Sequence, residues 1–416
     1  MPYRRPILLV FLPFAAGYYL SYLYRTINAL VSADLTSSMQ LGASDFGLLT
    51  SVYFLSFAAV QLPIGVALDR YGPRRVQGVL LLVASIGAAL FSTAHSLLTL
   101  ILGRALIGLG VAASLIAGLK AIVQWFPKER LPLVNGYFVA LGTLGAVTAT
   151  APAELLLASI GWRALFSLLA AATATCAIVI IVISPEGTIA SPSRISRGIG
   201  GLKTIYADQR FWRLAPLSTL CISTAWALQG LWAAPWFADV EHLGRPEIVR
   251  HLFVMASALC AGALLLGVAT DQLRRCGVRT QAVFVVVGAL FIAAQLALVL
   301  RLPLSSYLVW AVVASVGAAT VLSYAILADY FPDEIAGQAN AALNIFHIGG
   351  AFVLQYAIGL IISAWGSKGG HYPSIAYQTA LAVILCFQLA ALVWFVSSEL
   401  PAYRSISIPS EAKPSA

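Results

Sequence analysis

Gly65-Val-Ala-Leu-Asp69-Arg70-Tyr71-Gly72-Pro73-Arg74-Arg75 is a charged stretch set between two long apolar runs, and Gly267-Val-Ala-Thr-Asp271-Gln272 stands in the same relation to two later runs. The offset between the two copies is 202 residues. A second pair, Trp125-Phe126-Pro127-Lys128-Glu129 and Tyr330-Phe331-Pro332-Asp333-Glu334, repeats at an offset of 205. Two independent pairs at nearly one offset indicate an internal duplication.

The runs around these stretches set the fold class. The chain has 416 residues, 60% hydrophobic and 10% charged, against about 25% charged in ordinary soluble domains. Stretches such as Val76–Leu90 and Val278–Leu300 approach or exceed the ~20 residues a helix needs to cross a bilayer. Apolar runs bounded by charges and Gly/Pro turns give twelve helices, near 8–33, 45–67, 76–95, 97–121, 131–157, 162–184, 213–237, 249–269, 279–300, 304–328, 338–365 and 375–397. The expected fold is an all-α polytopic membrane protein of two pseudo-symmetric six-helix bundles, 1–184 and 213–400, joined by a polar linker over 185–212 and followed by a tail at 401–416.

The formal charge of +9 does not indicate a nucleic-acid partner, because Lys and Arg sit in short segments between apolar runs. Their distribution gives orientation instead. With the N-terminus cytoplasmic, Arg4, Arg5, Arg70, Arg74, Arg75, Lys128, Arg130, the linker cluster at Arg194, Arg197, Lys203, Arg210 and Arg213, then Arg274, Arg275, Arg279, Arg404 and Lys413 fall inside. Only Arg163, Arg245, Arg250, Arg301 and Lys368 fall outside. Both termini are thus expected on the cytoplasmic side of a cell (inner) membrane. Met1–Val31 imitates a secretory signal, but it runs past Tyr18, Tyr22 and Arg25 without a cleavage site and reads as the first span. Cys176, Cys221, Cys260, Cys276 and Cys386 show neither disulfide nor metal spacing, so no metal or cofactor is expected.

Gly65 to Arg75 resembles the loop signature of the major facilitator superfamily, and the resemblance extends over the chain through span count, linker and repeat. It implies a transporter, with the loop acting as a gate around Asp69. In physical terms Gly65 would let a helix end approach a neighbour, Asp69 would pair with Arg or helix N–H groups, and Arg70, Gly72, Arg74 and Arg75 would supply charge and a tight turn. The competing reading is a basic anchor alone. The copy with Gly267 and Asp271 carries Gln272 in place of Arg70, so its clamp should be weaker. Gly103-Arg104-Ala-Leu-Ile-Gly108 resembles a second pattern of the family, which links Arg104 to proton coupling or to the cavity; otherwise Arg104 snorkels to the interface. Gly142, Gly145 and Pro152 match the family's antiporter motif poorly and read as packing residues.

Helical spacing puts Tyr18, Tyr22, Arg25 and Ala29 on one face. Such a face is costly against lipid, so Arg25 is the first candidate to grip a carboxylate or phosphate, with an ion pair to Asp34 as the alternative. Trp226 and Gln229 in the seventh run, and Asn340, Asn344 and His347 in the eleventh, form further mixed faces. His347 is a coupling candidate, or else a hydrogen-bonded structural residue. Glu154 is a weaker coupling candidate placed near the outer surface. Trp232, Trp236 and Trp310 read as packing or interfacial aromatics.

These residues point to a monomeric secondary-active or facilitative carrier, symporter or uniporter, of a small polar or anionic organic solute such as an amino acid, peptide or carboxylate, working by alternating access with protons as a possible coupling ion. The alternatives are a drug or metabolite exporter of the same superfamily, a transport-derived sensor, or a membrane-embedded lipid-modifying enzyme. The enzyme reading lacks convergent catalytic groups, since His95, His242, His251, His347 and His371 are scattered. No phosphate-binding loop exists for direct use of ATP.

Overall fold

In hydrocarbon every backbone N–H and C=O must be satisfied within the chain, so long uncharged runs become helices. The computed structural model describes residues 6–127, 130–186, 198–367 and 370–406, and they are predominantly helical. Arg4, Arg5, Lys128, Glu129, Arg194, Arg197, Lys368 and Lys413 lie outside the described residues.

The elements are α1 (Ile7–Met39), α2 (Ala43–Ala59), α3 (Gln61–Ser92), α4 (Leu97–Val111), α5 (Ser114–Trp125), α6 (Leu131–Thr148), α7 (Ala151–Ile183), α8 (Gly198–Ala207), α9 (Gln209–Asp239), α10 (Arg245–Arg275), α11 (Thr280–Val299), α12 (Ser306–Val316), α13 (Thr320–Tyr330), α14 (Asp333–Ser363) and α15 (Ser374–Ile406). Among the described residues nine helices are long and apolar enough to cross a membrane, α4 and α5 counting as one of them. Three shorter apolar helices, Ala43–Ala59, Leu133–Thr148 and Ser306–Val316, stand where three further spans were expected. The chain is a multi-pass membrane protein.

Three boundaries differ from the sequence expectation. The charged stretch at 65–75 is not an open loop: α3 runs through it and breaks at Gly72 alone (φ 78°, ψ 162°). A positive φ is open to glycine at little cost, and Pro73 then starts the next helical turn. The turn near 161 is likewise a one-residue break at Gly161 (φ 73°, ψ 166°) within α7. The linker is partly helical, since α8 occupies Gly198–Ala207 and Tyr206, just before its end, sets its ring 6.3 Å from that of Phe346 on α14.

The second repeated pair shares its backbone conformation. α5 ends at Trp125 with Phe126 extended (φ −114°, ψ 145°), and α13 ends at Tyr330 with Phe331 extended (φ −123°, ψ 146°). Small residues set the closest helix crossings, as in other membrane bundles. A Cβ on Gly145 would stand 2.1 Å from the Tyr19 carbonyl oxygen, and one on Gly142 2.1 Å from the Tyr18 ring. The packing reading of Gly142 and Gly145 therefore describes the α6–α1 contact.

Candidate functional site

Arg25 lies at the middle of α1, in the center of a group of rings. Its guanidinium carbon is 4.1 Å from the centroid of Tyr22 and 4.9 Å from that of Trp226 on α9. Tyr18 and Tyr22 meet edge to face at 5.2 Å, and Tyr18 stacks on Phe138 of α6 at 5.2 Å. A wide π-helical stretch of α9, Leu228–Trp232, runs alongside, and a Cβ on Gly230 would sit 3.5 Å from the Arg25 carbonyl oxygen. π-Helical turns of this kind often mark functional sites. The one-face reading of Tyr18, Tyr22 and Arg25 thus describes the observed cluster, and Trp226 joins it from across the molecule.

The wall continues on α13 and α14. Tyr324 donates its hydroxyl to Asn344 Oδ1 at 3.0 Å, and the His347 ring lies 6.1 Å from Tyr324 and 6.2 Å from Trp226. His347 is fully buried and its Nε2 is 2.8 Å from Ser218 Oγ, while Nδ1 has no partner. Gln229 is buried within the π-helical stretch with an unpartnered Nε2. Tyr324 was missed in the sequence; the signal for it was a lone phenol in an apolar run opposite the candidate face.

The ion pair considered for Arg25 with Asp34 does not form. Asp34 binds Arg245 instead, at 3.0 Å, and Arg245 also binds Glu154 at 2.5 and 2.9 Å. Arg25 is left with aromatic faces and no carboxylate among the described residues. Arg104 does not snorkel. It is 2% exposed, donates Nη1 to the Tyr24 carbonyl at 3.0 Å and Nη2 to Asn28 Oδ1, and lies between Phe91 and Phe166. Its partners are neutral and lie on α1, so it ties α4 to the helix that carries Arg25. Trp236 and Trp310 are packing residues, both donating to Glu241 Oε1 at 2.9 and 3.2 Å.

The charged stretch behaves differently from its sequence reading. A Cβ on Gly65 or on Gly267 would meet nothing within 4 Å, so neither glycine serves a close approach here. Asp69 pairs with Lys120 on α5 at 2.6 Å rather than with an arginine. Arg74 donates to the Ile181 carbonyl at 2.7 Å. Arg75 binds Glu186 at 2.7 Å and holds that carboxyl below the usual carboxylate range. Arg70 lies over the Tyr71 ring. In the second copy Asp271 pairs with Arg275 one turn on, at 2.9 Å, and Arg274 with Asp329 at 3.7 Å. Lys120 was the partner not found in the sequence; the 205-residue offset places Ala325 at its counterpart, which leaves Asp271 without the equivalent cation.

This gives one expected result at the stretch itself. Lys120→Ala and Asp69→Asn should lower transport by the same factor, and the double variant should lower it no further, because both singles remove one pair. The stability change should be small, within about 1 kcal/mol, since both side chains reach solvent. Additive losses in a double-mutant uptake assay would show that the residues act separately.

At the opposite end Arg245 joins α10 to the early helices through Asp34 and Glu154. Besides Arg245, the Tyr372 hydroxyl accepts from the Ala43 backbone N–H at 3.0 Å, and Tyr372 is held by Asp239, which accepts from the Tyr372 N–H at 3.0 Å and the Tyr377 hydroxyl at 2.5 Å and lies 2.6 Å from His371 Nδ1. A cavity of about 660 Å³ lies at this end, lined in part by Thr36, Trp232, Asp239, Arg245 and Tyr372. Of the charged groups that line it, Arg245 and Asp239 are paired as described, and Arg25 lies outside that cavity.

The comparison with protein families decides the class: the family model described as Major Facilitator Superfamily matches residues 14–321. The chain belongs to the Major Facilitator Superfamily. It is 29% identical over 147 residues to the probable L-galactonate transporter of Escherichia coli K12, covering 35% of this chain and 32% of that one. It is also 29% identical over 155 residues to the probable sulfoacetate transporter of Cupriavidus necator, covering 37% of this chain and 36% of that one. Each match therefore spans about a third of the relative's length. Among solved structures, a bacterial homologue of the human lysosomal transporter Spinster, inward-facing and unoccupied, superposes with a TM-score of 0.78 at 16% identity over 98% of this chain and 100% of that one. That likeness is one of fold, and it extends over nearly the whole chain.

Proposed function

We propose that the protein carries a small organic anion bearing a carboxylate or sulfonate across the membrane by alternating access, with Arg25 as its primary ligand. The observation that carries this reading is a guanidinium at the middle of the first apolar helix, flanked by Tyr22 and Trp226 with no acid beside it among the described residues. An intramembrane cation is expensive unless it has a counterion or water, and the fork of Arg25 suits two oxygens of one acid group. The relatives named for galactonate and sulfoacetate transport support the choice of an anion.

In this reading residues 1–184 and 213–400 are two bundles that rock about Arg25. Tyr18, Tyr22, Trp226, Gln229, Tyr324, Asn344 and His347 orient the solute. Arg104 positions α1. Asp69, Lys120 and the basic residues gate the cytoplasmic end, and Asp34, Glu154 and Arg245 lock the outer one. The carrier works as a monomer in the cell membrane, with both termini inside.

The test is a thermal-shift series on purified protein. Galactonate, sulfoacetate and related monoanions should raise the melting temperature, since a ligand at 100 times its Kd stabilises the bound state by about 2.7 kcal/mol. Uncharged alcohols and amides of the same skeletons should not. Stabilisation by the neutral analogues alone would overturn the assignment.

A further inference from the structure

We infer that this carrier is an obligate exchanger of anions that uses no proton, an inference that rests on the anion reading of Arg25. It comes from where the acids are. The chain has 16 Asp and Glu residues, and those among the described residues lie near helix ends, between helices or, for Asp69, beside the break at Gly72. Asp34, Asp45, Glu154, Asp239, Glu241 and Glu247 cluster toward one end of the bundle, and Asp69, Glu186, Asp208, Asp271 and Asp329 toward the other. Among the described residues no carboxylate reaches the level of Arg25, and the nearby acids are committed: Asp34 and Glu154 to Arg245, Asp45 to the Gly42 N–H at 2.9 Å, and Asp239 to Tyr372 and Tyr377.

Alternating access requires the bundle to close over Arg25 from both sides in turn, and each passage strips water from the guanidinium. A resident carboxylate would neutralise it in the empty carrier, and a proton could then accompany the anion by binding that carboxylate as Arg25 takes the substrate. Here the counterion must be the anion itself. The loaded carrier reorients with Arg25 neutralised, whereas the empty carrier would have to occlude an unpaired cation. Arg104 does not alter the balance, because its hydrogen bonds go to Tyr24 and Asn28 of α1 and its rings, Phe91 and Phe166, lie on α3 and α7; none of these contacts bridges to the later helices.

Among the described residues, the titratable groups that face this region from the packed helices are Tyr18 and Tyr22 on α1, Tyr53 on α2, Tyr324 on α13 and His347 on α14. A proton can be added only to His347, which is bonded to Ser218 and bordered by the rings of Trp226 and Tyr324. That proton would put a second positive charge beside Arg25. It would deepen the imbalance that an acid would relieve, so proton uptake cannot replace the anion on the return step.

The test is counterflow in proteoliposomes containing the wild-type protein, with labelled galactonate, sulfoacetate and nitrate as probes. A transported probe should enter vesicles preloaded with the same unlabelled anion at least ten times faster than empty vesicles. The rate should not change with an imposed pH gradient or a protonophore. Equal entry into empty vesicles, or accumulation driven by the pH gradient, would overturn obligate exchange while leaving the anion reading in place. No entry of any probe into either kind of vesicle would overturn the anion reading and the exchange inference together.

Discussion

Arg25→Ala should abolish transport, lowering the uptake kcat/KM by about 100-fold or more while the protein still folds and inserts. Hydrogen bonds to a charged group contribute about 1.5–3 kcal/mol each, and a bidentate contact to a carboxylate makes two of them, so loss of both corresponds to roughly two to four decades. Folding should survive because Arg25 has no carboxylate whose charge would be stranded by its removal; what is lost within the protein is its contact with the faces of Tyr22 and Trp226. Arg25→Lys should fail nearly as badly, since a point charge cannot bridge two oxygens and stacks less well between two rings. The measurement is initial-rate uptake normalised to membrane protein, with the melting temperature recorded alongside. Wild-type kinetics in Arg25→Ala would remove the central ligand from the mechanism.

Much of this site was legible because a helix in hydrocarbon has few ways to hide polarity. Tyr18, Tyr22 and Arg25 recur at helical spacing, so they had to share a face, and a face so composed had to look inward. Trp226 and His347 were found by the same rule. The partners of charged groups were not legible, because pairing depends on which helix ends meet. Asp34 was set against Arg25 by nearness in sequence, yet they lie nine residues apart on one helix; the bundle brings Asp34 to Arg245 on α10. Lys120 reaches Asp69 because α5 returns to the end where α3 breaks at Gly72. Gly65 and Gly267 show the converse error. A motif glycine suggested close packing, but here both positions face open space, whereas the tight crossings use glycines outside the motif.

The tightest of those crossings between early and late helices gives the second large effect. Gly47 on α2 and Gly359 on α14 face each other: a Cβ on Gly359 would be 2.7 Å from the Ala43 carbonyl oxygen and 3.2 Å from the Gly47 Cα, and one on Gly47 would be 2.9 Å from the Gln355 carbonyl oxygen. The obstacles are backbone atoms, which cannot swing aside as a side-chain tip can. Gly359→Leu should therefore prevent this end from closing. Overpacking costs about 1–3 kcal/mol, enough to shift a two-state population by about 5- to 150-fold. In the proposed alternating-access cycle this contact parts when the end opens, so the cost falls on one conformation and the variant should settle in the other with its melting temperature nearly intact. A cysteine at Thr36 in the cavity at this end should become more reactive toward a membrane-impermeant maleimide, and transport should fall at least tenfold. Gly359→Ala should do both more weakly, and Arg245→Ala should raise reactivity by unlocking the same end through Asp34 and Glu154. Unchanged labelling in Gly359→Leu, with transport intact, would show that the α2–α14 crossing does not control access. Lower labelling would reverse the sense of the gate.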